Sequence, residues 1–305
     1  MKPLYLFGIF YFILLQASLA QSSLDLFTAS GRFGFPQEAG EPIKGTSSEY
    51  GGLVNLKAPI VLSQKTIWYN DLTYVYSYVQ SNAELGAGIA NPVELSGFIF
   101  QTGLVQSIND KKKLQMLFAP RFMTDFENVN NANWQFGGMV LIENKYSDNL
   151  TMRFGLLYNQ EMFGPSLTPL IYLDWQISDR WSIAGMAPIY IKVNYKVNKN
   201  LTAGFSHFAL ITSYRLGNPA YLNDYIERGS IDLTLFVRQR IWNNIFVEGR
   251  AGFAVDRYYE QYSEDQKLDL KVTLISFGDN RIPKNVMMKT GPVANLRLVY
   301  NLPIE

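Results

Sequence analysis

The sequence contains no cysteine and only one histidine, His207. Without cysteine the chain forms no disulfide bond, and thiolate metal sites, iron–sulfur clusters and cysteine nucleophiles are excluded. A single histidine leaves carboxylates as the remaining metal ligands, and their spacing matches no calcium-binding loop. We therefore predict a protein without a metal site and without a cofactor.

The sequence also lacks an excess of charge of either sign. It has 27 Lys and Arg residues against 26 Asp and Glu residues. A nearly neutral chain gives no overall electrostatic support for nucleic-acid binding. No Gly-rich loop follows a strand and opens a helix, so nucleotide binding is not indicated either. The sequence therefore predicts no nucleic-acid partner.

Long apolar segments are absent beyond the first twenty residues. Lys2 precedes an apolar run at 3–15, and Ser18-Leu19-Ala20 places small residues before a cleavage point. This is the layout of a secretory signal peptide. No later segment approaches the roughly 18 consecutive apolar residues of a transmembrane helix. We predict a cleaved signal peptide at 1–20 and one domain at 21–305.

Alternation of apolar and polar side chains is the main pattern that is present. Within 150–159, apolar residues occupy the even positions, and the odd positions are mostly polar. Similar alternation recurs at 231–240, 245–256 and 294–301. A period of two is typical of strands with one apolar and one polar face. The chain is therefore predicted to be all-β.

Short and long connections follow one another along the chain, as they do in bacterial outer-membrane barrels. The short polar turns lie at 63–65, 109–111, 147–149, 178–180, 198–200 and 243–244. The long connections lie at 38–48, 81–92, 127–133, 217–229 and 264–289. We predict a single transmembrane antiparallel up-and-down β-barrel of about 14 strands, with both termini on the periplasmic side. Twelve strands is the alternative, because two runs around Pro188 are short.

A soluble β-sandwich also shows alternating strands. Regularly alternating connection lengths are not expected of its Greek-key connections. Aromatic residues make up 14% of the chain and gather near strand ends, for example at Trp68, Trp134 and Trp181. Aromatic girdles at the two membrane interfaces have this distribution. We therefore predict that the protein lies in the outer membrane of a Gram-negative cell, surrounded by lipid.

Several hairpin turns and one longer segment are similar to a known family. The similarity is carried by Ser147-Asp148-Asn149, by Ser178-Asp179-Arg180, by Ala-Pro-Ile at 187–189 and by 193–201. The chain resembles the outer-membrane β-barrel proteins of Bacteroidota that carry a domain of unknown function. This resemblance extends over nearly the whole mature chain. It implies a barrel and an outer-membrane location, and it supplies no catalytic or binding residues.

The alternation predicts that more basic than acidic side chains face the lumen. The candidate lumen-lining residues are Arg121, Arg153, Asp174, Lys192, Asp232, Arg238, Arg240, Glu248, Arg250, Asp256 and Arg297. In one interpretation the lumen contains water and its basic surplus favours anions. In the other, the charges pair across the lumen, as Arg238 and Arg240 would with Glu248 or Asp256 on the next strand, and plug the barrel.

The function hypotheses follow from these two interpretations. With 12 to 14 strands the lumen is intermediate between a filled eight-stranded barrel and an open sixteen-stranded porin. We predict a passive, narrow, porin-like channel for small polar or anionic solutes. The alternative is a non-conducting structural or surface-interaction barrel whose long loops contact an unknown protein partner.

An outer-membrane hydrolase is the third hypothesis. It requires a Ser nucleophile activated by His207. Ser206 is adjacent in the sequence and so points to the opposite face of a strand. Ser213 shares the face of His207 but lies roughly 20 Å away along a strand. We therefore predict that the protein is not an enzyme, although a serine from a neighbouring strand remains open.

Overall fold

A computed structural model describes residues 23–38, 45–221, 223–285 and 287–303, and the predicted signal peptide lies outside them. The described strands form one sheet of 19 segments. Their bounds are β1 Ser23–Glu38, β2 Thr46–Lys57, β3 Ile60–Ser63, β4 Thr66–Ser81, β5 Val93–Asn109, β6 Lys112–Phe118, β7 Arg121–Thr124, β8 Trp134–Gln135, β9 Gly137–Ser147, β10 Leu150–Glu161, β11 Gly164–Gln176, β12 Trp181–Ala187, β13 Tyr190–Lys196, β14 Leu201–Arg215, β15 Tyr225–Trp242, β16 Ile245–Tyr262, β17 Leu270–Val272, β18 Ile275–Phe277 and β19 Gly291–Pro303.

The wall is a closed antiparallel barrel of 14 strands. Three wall strands consist of two segments each (β2–β3, β6–β7 and β8–β9), and β17–β18 is a hairpin inside the last loop. The barrel closes where β1 pairs with β19, from Ser23 opposite Pro303 to Gly34 opposite Val293. The prediction of 14 strands is confirmed, and the alternative of 12 is wrong.

Helical structure in the described residues consists of short 3-10 turns at Asn131–Asn133 and Pro219–Tyr221. Within that part of the chain, no helix has the length and the apolar character that crossing a membrane demands.

The outer surface of the wall is apolar. In β15, Leu235 and Val237 are exposed, whereas Thr234 and Phe236 beside them are buried. Alternating exposure of this kind means that apolar side chains point away from the barrel and polar or packed side chains point into it. A broad apolar exterior is stable only when lipid covers it, because apolar surface in water is unfavourable.

One part of the wall is much shorter than the rest. β12 and β13 have 7 residues each, whereas β11 has 13 and β14 has 15. β12 pairs with β11 only between Ile171 and Gln176. β13 pairs with β14 only between Thr202 and Phe208. The outer halves of β11 and β14 therefore flank a gap in the wall, which we call the notch.

The outer halves of β14, β15 and β16 leave the wall and bend into the barrel. β16 pairs with β19 only as far as Ala254, opposite Gly291. Beyond that point the register between β15 and β16 shifts at a bulge that contains Asp256, whose φ is 49°. Gly229 lies against the Tyr258 ring at this bend: a Cβ there would be 2.2 Å from Cε1 of Tyr258, so a larger residue would displace the ring.

The bent strands close the outer end of the barrel. Tyr214, Ile226 and Tyr259 of the bent strands form one buried core with residues of β4, β5 and β7 on the opposite wall. Thr124 and Arg215 form a parallel bridge between the fifth and the eleventh wall strands. We call this core the outer plug; it consists of Val79, Ala90, Val93, Leu95, Met123, Tyr214, Leu216, Ile226, Tyr259, Met287 and Met288.

The bend corrects one residue that alternation placed in the lumen. Asp256 is exposed at the bulge, and Arg257 beside it is 2% exposed. A bulge adds one residue to a strand, so the inward-facing positions change from even to odd numbers beyond it. The prediction that Asp256 lines the lumen is therefore wrong, and Arg257 takes the interior position.

Candidate functional site

Most charged side chains inside the described part of the barrel belong to three groups, which we name after their central carboxylates. The Glu248 cluster, in the periplasmic half, consists of Asp25, Lys192, Arg238, Glu248, Arg250 and Arg297. The Glu49 cluster, next to the bend, consists of Arg32, Glu49, Arg228, Asp232, Arg257 and Tyr259. The Glu143 ladder, on the opposite wall, consists of Lys113, Glu143, Arg153 and Tyr172.

Glu248 is at the centre of the first cluster and its side chain is 0% exposed. Its carboxylate lies 2.6 Å from Nζ of Lys192, 2.6 Å from Nη2 of Arg250 and 2.7 Å from Nη1 of Arg297. Arg238 lies 3.9 Å from the same carboxylate and pairs more closely with Asp25, at 2.8 Å. Lys192 reaches Glu248 from β13, so this contact crosses two intervening strands.

The Glu248 cluster has more positive than negative charge. Lys192, Arg238, Arg250 and Arg297 are four cations, and Asp25 and Glu248 are two carboxylates. The four basic side chains are 14–17% exposed, so solvent reaches them. Partly desolvated cations without an equal number of carboxylates attract small anions.

The Glu49 cluster connects the bent strands to the wall. The Glu49 carboxylate, on β2, accepts hydrogen bonds from Arg257 at 3.0 Å and from the Tyr259 hydroxyl at 2.7 Å, both on β16. Arg32, on β1, donates to Glu49 and also to Asp232 of β15, at 2.7 Å. Glu49 is therefore the main polar contact between the wall and the bent part of β16.

The Glu143 ladder follows the register of adjacent strands. Glu143 on β9 lies opposite Lys113 on one side and Arg153 on the other. Its carboxylate is 3.3 Å from Nζ of Lys113 and 2.6 Å from Nε of Arg153. The Arg153 guanidinium lies 4.3 Å from the ring centre of Tyr172. One carboxylate is thus shared by two cations of the adjacent strands, each through a direct cross-strand contact.

A separate buried ion pair lies near the outer plug. Nη1 of Arg121 is 2.6 Å from Oε1 of Glu161. The other oxygen of Glu161 accepts from the Ser213 hydroxyl at 2.8 Å and from its backbone N–H at 3.0 Å. Because Ser213 belongs to the bent half of β14, this pair also fastens the bent strands to the wall.

The structure brings six of the predicted lumen residues into two neighbouring clusters and leaves others apart. Lys192, Arg238, Glu248, Arg250 and Arg297 form most of the Glu248 cluster, and Asp232 joins the Glu49 cluster. Arg153 lies in the Glu143 ladder, and Asp174 two residues beyond Tyr172 on β11 is half-buried. Arg240 is exposed at the periplasmic end of β15.

Several interior residues of these clusters were missed by the prediction from sequence, among them Asp25, Glu49 and Arg257. Asp25 pairs with Arg238, although the two residues are 213 positions apart. Glu49 has the parity opposite to that of the apolar Val54 and Leu56 on β2, so alternation along this strand could have identified it. Arg257 could not have been identified in this way, because the bulge reverses the alternation.

His207 has no hydrogen bond to a serine hydroxyl in the described residues. It lies on β14 between Ile191 and Leu233 of the neighbouring strands. Its Nδ1 has no hydrogen-bond partner. Ser206 points the other way and accepts a hydrogen bond from Arg250 at 3.1 Å. The described part of the chain also contains no group of three or more His, Cys, Asp or Glu side chains that could bind a metal.

Ion pairs fasten the last outer loop, residues 263–290, to the bent strands. Arg281 lies 2.7 Å from Glu227 of β15 and 2.8 Å from Asp279. Lys271 also contacts Glu227, and Lys284 lies 2.6 Å from Asp224. The hydrogen bond from Arg281 lowers the pKa of the Asp279 carboxyl below its usual value, and burial opposes this effect only in part.

The contact between Asp279 and Arg281 predicts that this loop loosens in acid. A folded-state pKa below the unfolded value of about 3.9 stabilises the loop above about pH 4, and this contribution is lost as the pH falls through the folded-state pKa. A spin label at Ile282→Cys is expected to become more mobile below about pH 4. Electron paramagnetic resonance spectra between pH 2 and 7 measure this mobility.

The control for this prediction is the same label in the Asp279→Asn background. There the label is expected to be mobile already at pH 7 and to change little with pH. A label at Val129→Cys, in another outer loop, is expected not to respond. Equal pH profiles for Ile282→Cys with and without Asp279 would contradict the role of this carboxyl.

A closed antiparallel barrel with an apolar exterior, a charged interior and short turns at one end is a transmembrane β-barrel of the outer-membrane type. The family model described as a domain of unknown function (DUF6268) matches residues 49–271, and the chain belongs to this family. The resemblance predicted from the sequence is confirmed to this extent. Among curated proteins, no sequence matches the chain.

Solved outer-membrane proteins are similar to the chain at low sequence identity. A Pseudomonas aeruginosa FadL homologue is 10% identical over 95% of this chain and 93% of its own, with a TM-score of 0.48. An outer membrane channel from Pseudomonas putida F1 is 10% identical over 99% and 100%, with a TM-score of 0.42. The NanC porin is 8% identical over 89% and 98%, with a TM-score of 0.35.

Proposed function

We propose that the protein is an outer-membrane channel for small polar solutes that favours anions, and that its outer end is closed in the conformation described. The observation that carries this proposal is the positive surplus of the Glu248 cluster. A fixed surplus of like charge inside a pore raises the local concentration of counter-ions and sets ion preference. The sequence resemblance implies that the protein comes from a Gram-negative bacterium of the Bacteroidota, and we include this origin in the proposal.

Inward-facing side chains in the periplasmic half of the barrel are exposed to solvent, which supports a water-filled vestibule at that end. Tyr190 has the inward parity of Lys192, and yet it is 39% exposed. The basic side chains of the Glu248 cluster are also partly exposed. Solutes would therefore reach this cluster from the periplasmic side. The outer plug closes the other end, so passage requires the bent strands to move.

A non-conducting barrel is the second candidate, and the outer plug favours it. Eleven buried side chains from opposite walls and from the outer loops meet there. A core of this kind stabilises a filled barrel whether or not the strands ever open. Conductance separates the two candidates, because a structural barrel inserts into a bilayer without passing current.

Charge reversal at the periplasmic mouth is expected to change ion preference. Arg240 and Lys196 are exposed there, and neither belongs to the Glu248 cluster. In planar bilayers we expect brief openings of the wild-type protein with a preference for anions. Arg240→Glu with Lys196→Glu is expected to lower the anion-to-cation permeability ratio by a few-fold, about the effect of surface potentials of a few kT. The reversal potential in a KCl gradient measures this ratio.

The matched control is Lys65→Glu, an exposed position in another periplasmic turn. It changes the net charge of the protein and lies away from Arg240 in the sequence of wall strands. Its reversal potential is expected to equal that of the wild type. A correctly inserted protein that never conducts would refute the channel and favour the structural barrel.

A further inference from the structure

One side of the barrel wall is too short to cross the hydrocarbon of a membrane. A transmembrane strand needs about 9–11 residues, whereas β12 and β13 have 7 each. Above them lies the notch between the outer halves of β11 and β14. Backbone N–H and C=O groups at a strand edge have no water partner in hydrocarbon, so an edge at this depth requires a cover.

The β17–β18 hairpin occupies the notch. β17 pairs in parallel with β11, with Lys271 opposite Ser166 and Val272 opposite Leu167. The Thr273 N–H also donates to the Leu167 carbonyl at 3.1 Å. β10 pairs with the other edge of β11 along its whole outer half. β17 therefore lies on the edge that β12 leaves free.

The turn of the hairpin faces the membrane, as the direction of β17 shows. β11 runs from the outer end toward the periplasm, and β17 is parallel to it. The turn at Thr273 and Leu274 is therefore the lowest part of the hairpin. This turn lies above the turn of the β12–β13 hairpin, at a height where the neighbouring strands still form the wall.

The two faces of the hairpin differ in polarity. The Lys271 side chain is buried and contacts Glu227 on the inner side. Leu270 and Val272 flank Lys271 in the strand and so point outward. Phe277 lies opposite Leu270, and Ile275 lies opposite Val272, so they share this outward face. Ile275 is 62% exposed and Phe277 is 51% exposed.

The apolar face is continuous with the lipid-facing surface of the wall. Val272 lies opposite Leu167, and Leu167 lies opposite Tyr158 of β10. Tyr158 and, two residues lower, Leu156 are exposed on the outside of the barrel. The hairpin thus adds its apolar residues at the height of the outer rim of the wall, where aromatic and aliphatic side chains contact lipid.

We infer that the β17–β18 hairpin is part of the lipid-facing wall and that its outer face, Leu270, Val272, Ile275 and Phe277, binds acyl chains of the outer leaflet together with Leu274 in the turn. The partner is the hydrocarbon of the membrane itself. This inference goes beyond the proposed function, because it holds for a conducting and for a non-conducting barrel.

Single-cysteine labelling tests the inference cleanly, because the chain has no cysteine of its own. Ile275→Cys and Phe277→Cys are labelled with a nitroxide and refolded into phosphatidylcholine vesicles. Collision of the label with oxygen, which concentrates in lipid, is compared with collision with a water-soluble nickel complex. We expect an oxygen-to-nickel ratio similar to that of Leu156→Cys on the wall and severalfold higher than that of Val129→Cys in an outer loop.

Ser276→Cys is the matched control, because its side chain lies on the opposite face of the same strand. Its oxygen-to-nickel ratio is expected to be lower than the ratios of Ile275→Cys and Phe277→Cys. Ratios at Ile275 and Phe277 equal to that of Val129→Cys would overturn the inference. If these two variants do not refold, as judged by gel mobility before and after heating, Leu274→Cys in the turn provides the same measurement.

Discussion

Replacement of Glu248 by Gln is expected to lower the free energy of unfolding by roughly 3–5 kcal/mol. The change preserves the shape of the side chain and removes the one carboxylate that Lys192, Arg250 and Arg297 share. Three cations then remain close together and partly desolvated, a strongly unfavourable arrangement. Urea titration of the protein in vesicles, followed by tryptophan fluorescence, measures the change.

Added anions are expected to restore part of this stability. A phosphate or sulfate ion bound between the three cations would replace the missing negative charge, and binding to the folded state alone raises stability by mass action. Glu84→Gln, an exposed residue in an outer loop, is the control. A Glu248→Gln variant as stable as the wild type would show that the cations do not depend on this carboxylate.

Replacement of Glu49 by Gln is expected to release the bent strands. The variant weakens the contacts of the wall with Arg257 and Tyr259 of β16. A loss of roughly 3–5 kcal/mol would shift the equilibrium between closed and open forms by about two to four powers of ten. Single-channel recording in planar bilayers is expected to show a large increase in the open fraction.

The control for this experiment is Glu38→Gln, an exposed residue at the outer end of β1. Its open fraction is expected to equal that of the wild type. If Glu49→Gln lowers stability and produces no current, the bent strands are a structural plug and the proposed channel is wrong. If it neither lowers stability nor conducts, the Glu49 cluster does not connect the bent strands to the wall.

The fold could be predicted because most wall strands have one face toward lipid and the other toward the interior. In the periplasmic half of β15, Leu235 and Val237 are exposed and Phe236 between them is buried. An environment that differs between two faces selects residues with a period of two, which is visible in a single sequence. The polar turns between these runs fixed the strand count in the same way.

The outer half of the same strand shows why the closed end could not be predicted. All residues from 225 to 230 are buried, because the outer plug covers one face and the last loop covers the other. With both faces buried, the alternation disappears. Asp256 was misplaced for a related reason, since no sequence pattern marks the bulge that reverses the inward positions.

The candidate site was predicted only in part, because the sequence pattern does not show which distant strands lie close together. Alternation identified Lys192, Glu248 and Arg297 one strand at a time. It did not identify their arrangement, because Lys192 reaches Glu248 across β14 and β15 rather than from a neighbouring strand. The partnership of Asp25 with Arg238 depends on barrel closure between β1 and β19, which brings the two ends of the chain together.

The parallel pairing of β17 with β11 has a consequence for the order of folding. Wall strands that follow one another can zip together as hairpins with little loss of chain entropy, whereas Leu167 and Val272 are about a hundred residues apart and their pairing must close a long loop. The outer edge of β11 therefore remains open until β16 has joined the wall. Pairing at this edge is therefore a late step of assembly, and until then the outer edge of β11 is open to pairing with another chain.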